Sequence, residues 1–446
     1  MYTLPKIERF NQNVLSKYQV YNSVFLTLPF ASIDNTGVLL PLFTEVCEKG
    51  FNKQETPIQI VDFFSTKYLD NTSEWDRVDL LFRFIQYIER QIVLFDAIED
   101  AAFAIVNNLE GKGSLRDIKE NAEDKDKLED LRSFLESFRV RPVLTAHPTQ
   151  FYPGAVLGII TDLTEAIRID DLVTIKKLLS QLGKTPFIKQ QKPSPYDEAV
   201  SLIWYLENVF YETSGEILSY VQKNIFNNDS IQNPIFDLGF WPGGDRDGNP
   251  FVTTEITLNV SDRLRTSILK CYYKDIRKLK RKLTFSKVDT LLADLESKIY
   301  RSVFYSVGDV YLSLDDLENS LQKIKKLIVE EHQSLYLDEL NTLINKVKLF
   351  GFHFSTIDIR QNSKIHEQVF ADIYPTPLVG AESEIFDTIA SIKGKLNPDD
   401  FADEMTRATL SSIFAMKTIQ SKNGEKASNR YIISNCDSAA QVLQAF

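Results

Sequence analysis

The sequence predicts a mostly helical chain with an α/β core, its parallel strands joined by long helical crossovers. Two observations carry this. From residue 141 onward, four short apolar runs each empty into a polar turn. Between them lie helical stretches far longer than a hairpin needs, and strands joined that way run parallel. Polar groups at the ends of such strands fit either an α/β barrel or an open α/β sheet, since both place their chemistry at the carboxyl ends of the strands. Four strands do not close a barrel.

The 446 residues suffice for two or three ordinary domains or one very large one, and an apolar fraction of 43% allows a sizeable core. The net charge of −11 means that an anionic substrate must be attracted locally by a few placed arginines. The densest basic run, Arg277-Lys278-Leu279-Lys280-Arg281-Lys282, falls inside a predicted helix and is expected to be a solvated face, so no nucleic-acid partner is expected. Cys47, Cys271 and Cys436 are far apart, odd in number and in no metal spacing, as thiols of a reducing compartment are. No signal pattern opens the chain and no apolar run spans a bilayer, so a soluble, cytoplasmic protein with no membrane partner is expected.

Taken in order, residues 1–138 are expected to form a helical N-terminal region and 139–446 one large α/β domain. Residues 1–72 predict short helices. Ser73-x-x-Asp76 has the spacing of a capping box. Behind it Leu81, Ile85, Ile88, Ile92, Phe95, Ala102 and Ile105 fall near one face of a long helix, expected to be core. Leu115 to Phe138 predicts a charged helical segment. In Arg141-Pro142-Val143-Leu144-Thr145-Ala146-His147-Pro148-Thr149-Gln150 a β-prone run ends in a polar turn, where the following proline holds His147 extended. The local reading leaves a structural and a functional role open for His147, one of four histidines.

Residues 155–182 and 197–225 carry helical periodicity, split by Pro193-Ser194-Pro195. Phe236 to Trp241 is a buried strand emptying into Pro242-Gly243-Gly244-Asp245-Arg246-Asp247-Gly248-Asn249-Pro250, a candidate site wall. A calcium loop is excluded there, because Gly248 is fourth rather than sixth and Glu255 eleventh rather than twelfth. Helices dominate from Thr254 to Lys348, including one capped by Ser313-x-x-Asp316 with Leu317, Leu321, Ile324 and Leu327 on its apolar face. The second half of Leu349 to Ser363 alternates as a strand and delivers Asp358 and Arg360. Arg430 to Asn435 is the fourth run, and one short helical piece follows it.

Three of these stretches together resemble a known family. Thr145-Ala146-His147-Pro148-Thr149, Gly243 through Pro250, and Phe350-Gly351-x-His353 with Asp358-x-Arg360-Gln361-x-Ser363 are similar to the motifs of phosphoenolpyruvate carboxylase, in its order and at roughly its spacings. Lys192-Pro193-Ser194-Pro195-x-Asp197-Glu198-Ala199 matches less sharply, and Ile433-Ser434 with Ser438 and Val442-Leu443 resembles the family's next strand. The resemblance covers nearly the whole chain. It implies a helix-rich, incomplete TIM-type barrel, with about four of eight strands present in what looks like the N-terminal half of the enzyme.

It implies further that phosphoenolpyruvate and bicarbonate yield oxaloacetate and phosphate through carboxyphosphate and an enolate. Members are usually homotetramers dependent on Mg²⁺ or Mn²⁺. The metal-binding acids, with a catalytic lysine and a glycine-rich loop, are expected beyond Phe446, so no metal ligand is assigned within residues 1–446 and this chain alone is expected to be inactive. By the resemblance His147 is the catalytic histidine, Arg360 binds the phosphoryl group and Arg246 is a candidate substrate contact. Trp241, Gly243, Gly244, Asp245, Asp247, Asn249 and Asp358 shape the site. An Asp245–Arg246 pair within the loop is the alternative to direct contact by Arg246. Where many members carry two arginines after the His-Pro-Thr motif, this chain has Phe151-Tyr152-Pro153-Gly154, which argues against sugar-phosphate activation at that position. The inner face of a half-barrel is expected to expose apolar surface and drive self-association. Two other classes stay open: a non-catalytic fragment or pseudoenzyme, and another phosphoenolpyruvate enzyme using a phosphohistidine.

Overall fold

The computed structural model describes residues 4–26, 36–69, 73–145, 152, 154–187, 193–305, 312–374, 382–391, 394 and 396–445. By packing, the chain divides into two units, residues 1–118 with 149–192 and residues 119–148 with 193–446.

The first unit is helical. Thr56 with Gln59 caps the helix Pro57–Tyr68, and Ser73 with Asp76 caps Glu74–Val106, each side chain taking an otherwise orphaned backbone N–H. The predicted core face of Glu74–Val106 is corrected in part: Ala102 is buried and Leu81 and Phe95 pack against core residues, but the four isoleucines do not belong to it. Ile85 and Ile92 are 54% and 48% exposed, and Ile88 and Ile105 are exposed too. The buried face runs through Phe84, Tyr87, Arg90, Leu94, Ala97, Ile98 and Ala101. Its apolar signal is diluted by a charge and by small residues, and these are what suit it to burial. Arg90 donates to the carbonyls of Leu182 (3.1 Å) and Thr185 (2.8 Å) and lies over the Phe187 ring. The alanines leave room for the helix Gly154–Arg168, whose Thr164 hydroxyl reaches the Ala97 carbonyl at 3.4 Å. A second refinement falls at residues 115–138, which form two helices, Leu115–Asp124 and Leu128–Ser137, separated where Asp126 takes φ 54°.

The second unit holds the sheet. Strands β1 (Val143–Leu144), β2 (Gly239–Phe240), β3 (Thr356–Asn362) and β4 (Arg430–Ser434) lie side by side in chain order, every neighbouring pair parallel. Val143 faces Gly239, Gly239 faces Thr356, and Asp358 faces Arg430. The four predicted runs are thus the four strands, and the sheet does not close on itself. One face is apolar: Leu144, Phe240, Ile357 and Ile359 join Val260, Leu264 and Ile268 of the helix Thr254–Lys282 in one core. The helices Val288–Phe304, Leu314–Glu331 and Leu337–Phe350 extend that core, and Ser313 with Asp316 caps the second of them as predicted. Lys346 is 3% exposed, an expensive burial met by Glu212, Asp275 and the face of Tyr211. Lys280 and Lys282 of the basic run pair with Glu296 and Glu339 on the surface.

Side chains alternate along a strand, so the residues between those apolar positions share the opposite face. That face carries Arg141, Asp237, Trp241, Asp358, Arg360 and Arg430. It is therefore largely charged, where an apolar inner surface was expected, with Val143 and Ile432 as its apolar members. Arg141 joins the layer together: Nη1 lies 2.8 Å from Asp237 Oδ1, and Nη2 donates to Asp358 Oδ1 at 2.6 Å. Asp237 also accepts from Arg430 at 2.7 Å, so the contacts tie all four strands.

Two outcomes follow from this packing. A Cβ on Gly244 would overlap the Asp358 carbonyl oxygen, which the sheet holds in place. Gly244→Ala should lower unfolding free energy by about 1–3 kcal/mol or more in urea titrations. Arg141→Met would leave Asp358, 2% exposed, without its cation, at a cost of about 3 kcal/mol near pH 7. Burial already pushes the Asp358 carboxyl up, opposed first by Arg141. Without Arg141 its folded value rises further above the unfolded one. The deficit against wild type should therefore be largest near neutrality, shrink as pH falls through the two folded values, and vanish where the carboxyl is protonated in both folded proteins. A pH-independent deficit in paired denaturation curves would count against this account.

Candidate active site

The polar loop after β2 and the end of β3 build one cluster. Gly244 and Asp245 both donate backbone N–H groups to the Trp241 carbonyl, at 2.8 and 2.9 Å, a tight turn that Gly243 permits with φ +80°. The loop then rejoins the sheet: Arg360 N donates to Gly244 O at 3.0 Å, and Arg246 N to Arg360 O at 2.9 Å. This rung brings Asp245 and Asp247 to the Arg360 side chain. Arg360 Nη1 lies 3.3 Å from Asp245 Oδ2 and Nη2 3.0 Å from Asp247 Oδ2, while the guanidinium sits 5.2 Å from the centre of the Trp241 ring. The Trp241 indole N–H donates to Asp358 Oδ2 at 3.2 Å. Asp358 thus accepts from Trp241 on one oxygen and from Arg141 on the other.

The electrostatics follow from partial burial. Loss of solvent pushes the Asp245 carboxyl up, against the Asp247 backbone N–H and the Arg360 charge, which pull it down. Arg360 stands between two carboxylates, so an anion approaching it meets a guanidinium that is already engaged. Trp241 and the loop backbone wall one side. The arrangement suits recognition of a planar or tetrahedral oxyanion by a fork of N–H donors, provided a carboxylate yields its place.

Trp241, Asp245, Asp247, Asp358 and Arg360 thus come together. Gly243 and Gly244 shape the turn. The side chain of Arg246 turns elsewhere, donating to the Ala408 carbonyl at 3.0 Å, and Asp245 pairs with Arg360 rather than with Arg246. Asn249 accepts from Phe251 N at 3.2 Å and so closes the loop ahead of the helix Thr254–Lys282. His147 lies outside the described residues; the chain before it reaches Thr145, just past β1, next to the start of the loop, where Trp241 N donates to Leu144 O at 3.0 Å.

Three participants were not singled out from the sequence. Arg141 and Asp237 stand two residues before Val143 and Gly239, and strand alternation would have placed them on the charged face. Asn362 filled a blank position of the third motif; it donates to Asp247 at 3.2 Å and caps the next helix at Lys364 N. Among the described residues no group of three or more His, Cys, Asp or Glu is placed to hold a metal ion. Also among them, no helix is long and apolar enough to cross a membrane.

A family model described as phosphoenolpyruvate carboxylase matches residues 99–303 and 294–446. Among curated relatives, the phosphoenolpyruvate carboxylase of Aromatoleum aromaticum is 24% identical over a match covering 59% of this chain and 35% of its own length. That of Shewanella loihica is 26% identical, covering 54% and 32%, and that of an Azoarcus species is 24% identical, covering 75% and 44%. The chain therefore spans about a third to under half the length of these relatives. With the model matching well over half of its residues, the chain belongs to the phosphoenolpyruvate carboxylase family.

Proposed function

We propose that the charged cluster at the carboxyl ends of β2 and β3 is part of a site that carboxylates phosphoenolpyruvate with bicarbonate, giving oxaloacetate and phosphate. The observation that carries this is Arg360, a guanidinium fork at a strand end, backed by Trp241 and bracketed by Asp245 and Asp247. In this reading the Arg360 fork takes the phosphoryl oxygens, displacing at least one carboxylate, and the phosphoryl group moves from the enol oxygen to a bicarbonate oxygen. The enol P–O bond breaks as the new P–O bond forms, leaving an enolate and carboxyphosphate. His147 takes the carboxyphosphate proton as that intermediate releases carbon dioxide and phosphate, and the enolate carbon then forms the new C–C bond. Asp358, fixed by Arg141, holds the Trp241 ring against Arg360. Arg246 and Asn249 shape the loop without touching substrate.

The family's Mg²⁺ or Mn²⁺ would help offset the anionic charge of this chemistry. The described residues of this chain do not offer it a set of three or more His, Cys, Asp or Glu ligands. A homo-oligomer remains part of the proposal on the family resemblance alone.

Two substitutions in the natural protein test the assignment. Arg360→Gln should weaken phosphoenolpyruvate binding by about 2–3 kcal/mol, roughly thirty- to two-hundredfold, in equilibrium titrations. Unchanged affinity would remove Arg360 from the site. His147→Asn should abolish oxaloacetate formation while leaving phosphoenolpyruvate affinity largely intact, and near-normal carboxylation would remove His147 from the chemistry. Phosphate incorporated at His147 from phosphoenolpyruvate would instead favour a phosphohistidine enzyme.

A further inference from the structure

A half-enclosed cleft of the second unit lies at the other end of the sheet from Arg360. Arg139 precedes β1, Phe236 and Asp237 precede β2, Thr356 opens β3 and Arg430 opens β4; all line it. From Thr356 to Arg360 the strand advances about 13 Å, so the two places are separate. The floor is apolar, made by Phe236, Leu238, Phe350 and Phe354, and the rim is cationic, made by Arg139, Lys426 and Arg430.

The charges do not cancel. Among the described residues of the lining Asp237 is the one carboxylate, and it is shared between Arg430 and Arg141. Among the described residues Arg139 and Lys426 have no carboxylate partner. Three cations against one anion leave the described lining at +2 in a chain of net charge −11. Such a local excess, half enclosed and above an apolar floor, attracts a small anion. The half-buried His353 imidazole also faces the cleft. Burial, with Lys426 beside it, pushes His353 down to about 3, so the ring is neutral at physiological pH and offers one N–H donor and one acceptor. The cleft holds about 80 Å³. At about 10–15 Å³ for each water-sized group, that is room for roughly five to eight heavy atoms.

We propose that this cleft binds a small phosphoryl dianion, inorganic phosphate or the head of a short phosphate monoester, through charge-assisted hydrogen bonds from Arg139, Lys426 and Arg430. It is a second anion site, independent of the one at Arg360. An inorganic ion would use the rim alone, whereas a monoester would also lay its carbon on the phenylalanine floor.

His353 is a built-in reporter, one of four histidines whose ring signals can be followed by NMR of the histidine-labelled protein. The titrants are inorganic phosphate and ethyl phosphate, added above about pH 7, where a monoester carries close to two charges. Ionic strength is matched with chloride throughout. The His353 signal should shift and saturate with a midpoint of about 1 mM or below. Tighter binding of ethyl phosphate would identify a monoester site, and tighter binding of phosphate a site for the free ion. Arg139→Gln with Lys426→Gln, both at exposed positions, should weaken the midpoint about tenfold or more. Arg360→Gln should leave it within about twofold, whatever it does to phosphoenolpyruvate. A shift that does not saturate, an equal shift with chloride, an unchanged midpoint in the double variant, or loss of the response in Arg360→Gln would each overturn the proposal.

Discussion

Charge compensation across strands is the constraint on which the rest of the second unit depends. One face of the sheet is packed by helices, and the other carries arginines and aspartates that must find one another on neighbouring strands. Arg141 on the β1 side answers Asp237 before β2 and Asp358 on β3, and Arg430 on β4 answers Asp237 again. A slip of β3 by one residue would turn Asp358 and Arg360 into the apolar core around Val260 and Ile268, and turn Ile357 and Ile359 out among charges. Ion pairs are poor sources of net stability, whether screened where they are partly exposed, as at Arg430 and Asp237, or opposed by desolvation where buried, as at Asp358. What they do here is make every register but one costly, and that register brings Trp241, Asp245 and Asp247 to Arg360.

The strand runs were legible because each is short, apolar and ends in polar residues that suit a turn or a helix cap. The capping boxes at Ser73 and Ser313 were legible because their chemistry is local, one side chain and one N–H three residues apart. Long-range facts were not. The outward apolar face of Glu74–Val106 reads as core because hydrophobicity along a sequence does not say which face of a helix meets a partner. Arg90 hid the true face, since a buried arginine is recognisable only once the carbonyls of Leu182 and Thr185 are seen to receive it. The same blindness hid the turning away of Arg246, whose acceptor at Ala408 lies 162 residues along the chain.

The two ends of the sheet pose opposite electrostatic problems. At the carboxyl ends, Arg360 is outnumbered by Asp245 and Asp247, so selectivity for an anion rests on geometry and on how readily a carboxylate withdraws. Asp245, already pushed towards neutrality by burial, is the weaker holder of the two. At the amino ends the cations outnumber Asp237. The field there draws an anion in without any side chain having to move first.

The glycine-rich loop also has a thermodynamic side. Between Trp241 and Asp247 it behaves as an extension of the sheet, hydrogen-bonded to β3 through Gly244 and Arg246. Ordering a free loop of that length costs about 1–2 kcal/mol per residue in backbone entropy. Here that loss is met when the protein folds, so a ligand arriving at Arg360 meets donors whose backbone is already fixed. Its binding free energy is then governed by desolvation and carboxylate exchange, with little contribution from loop ordering.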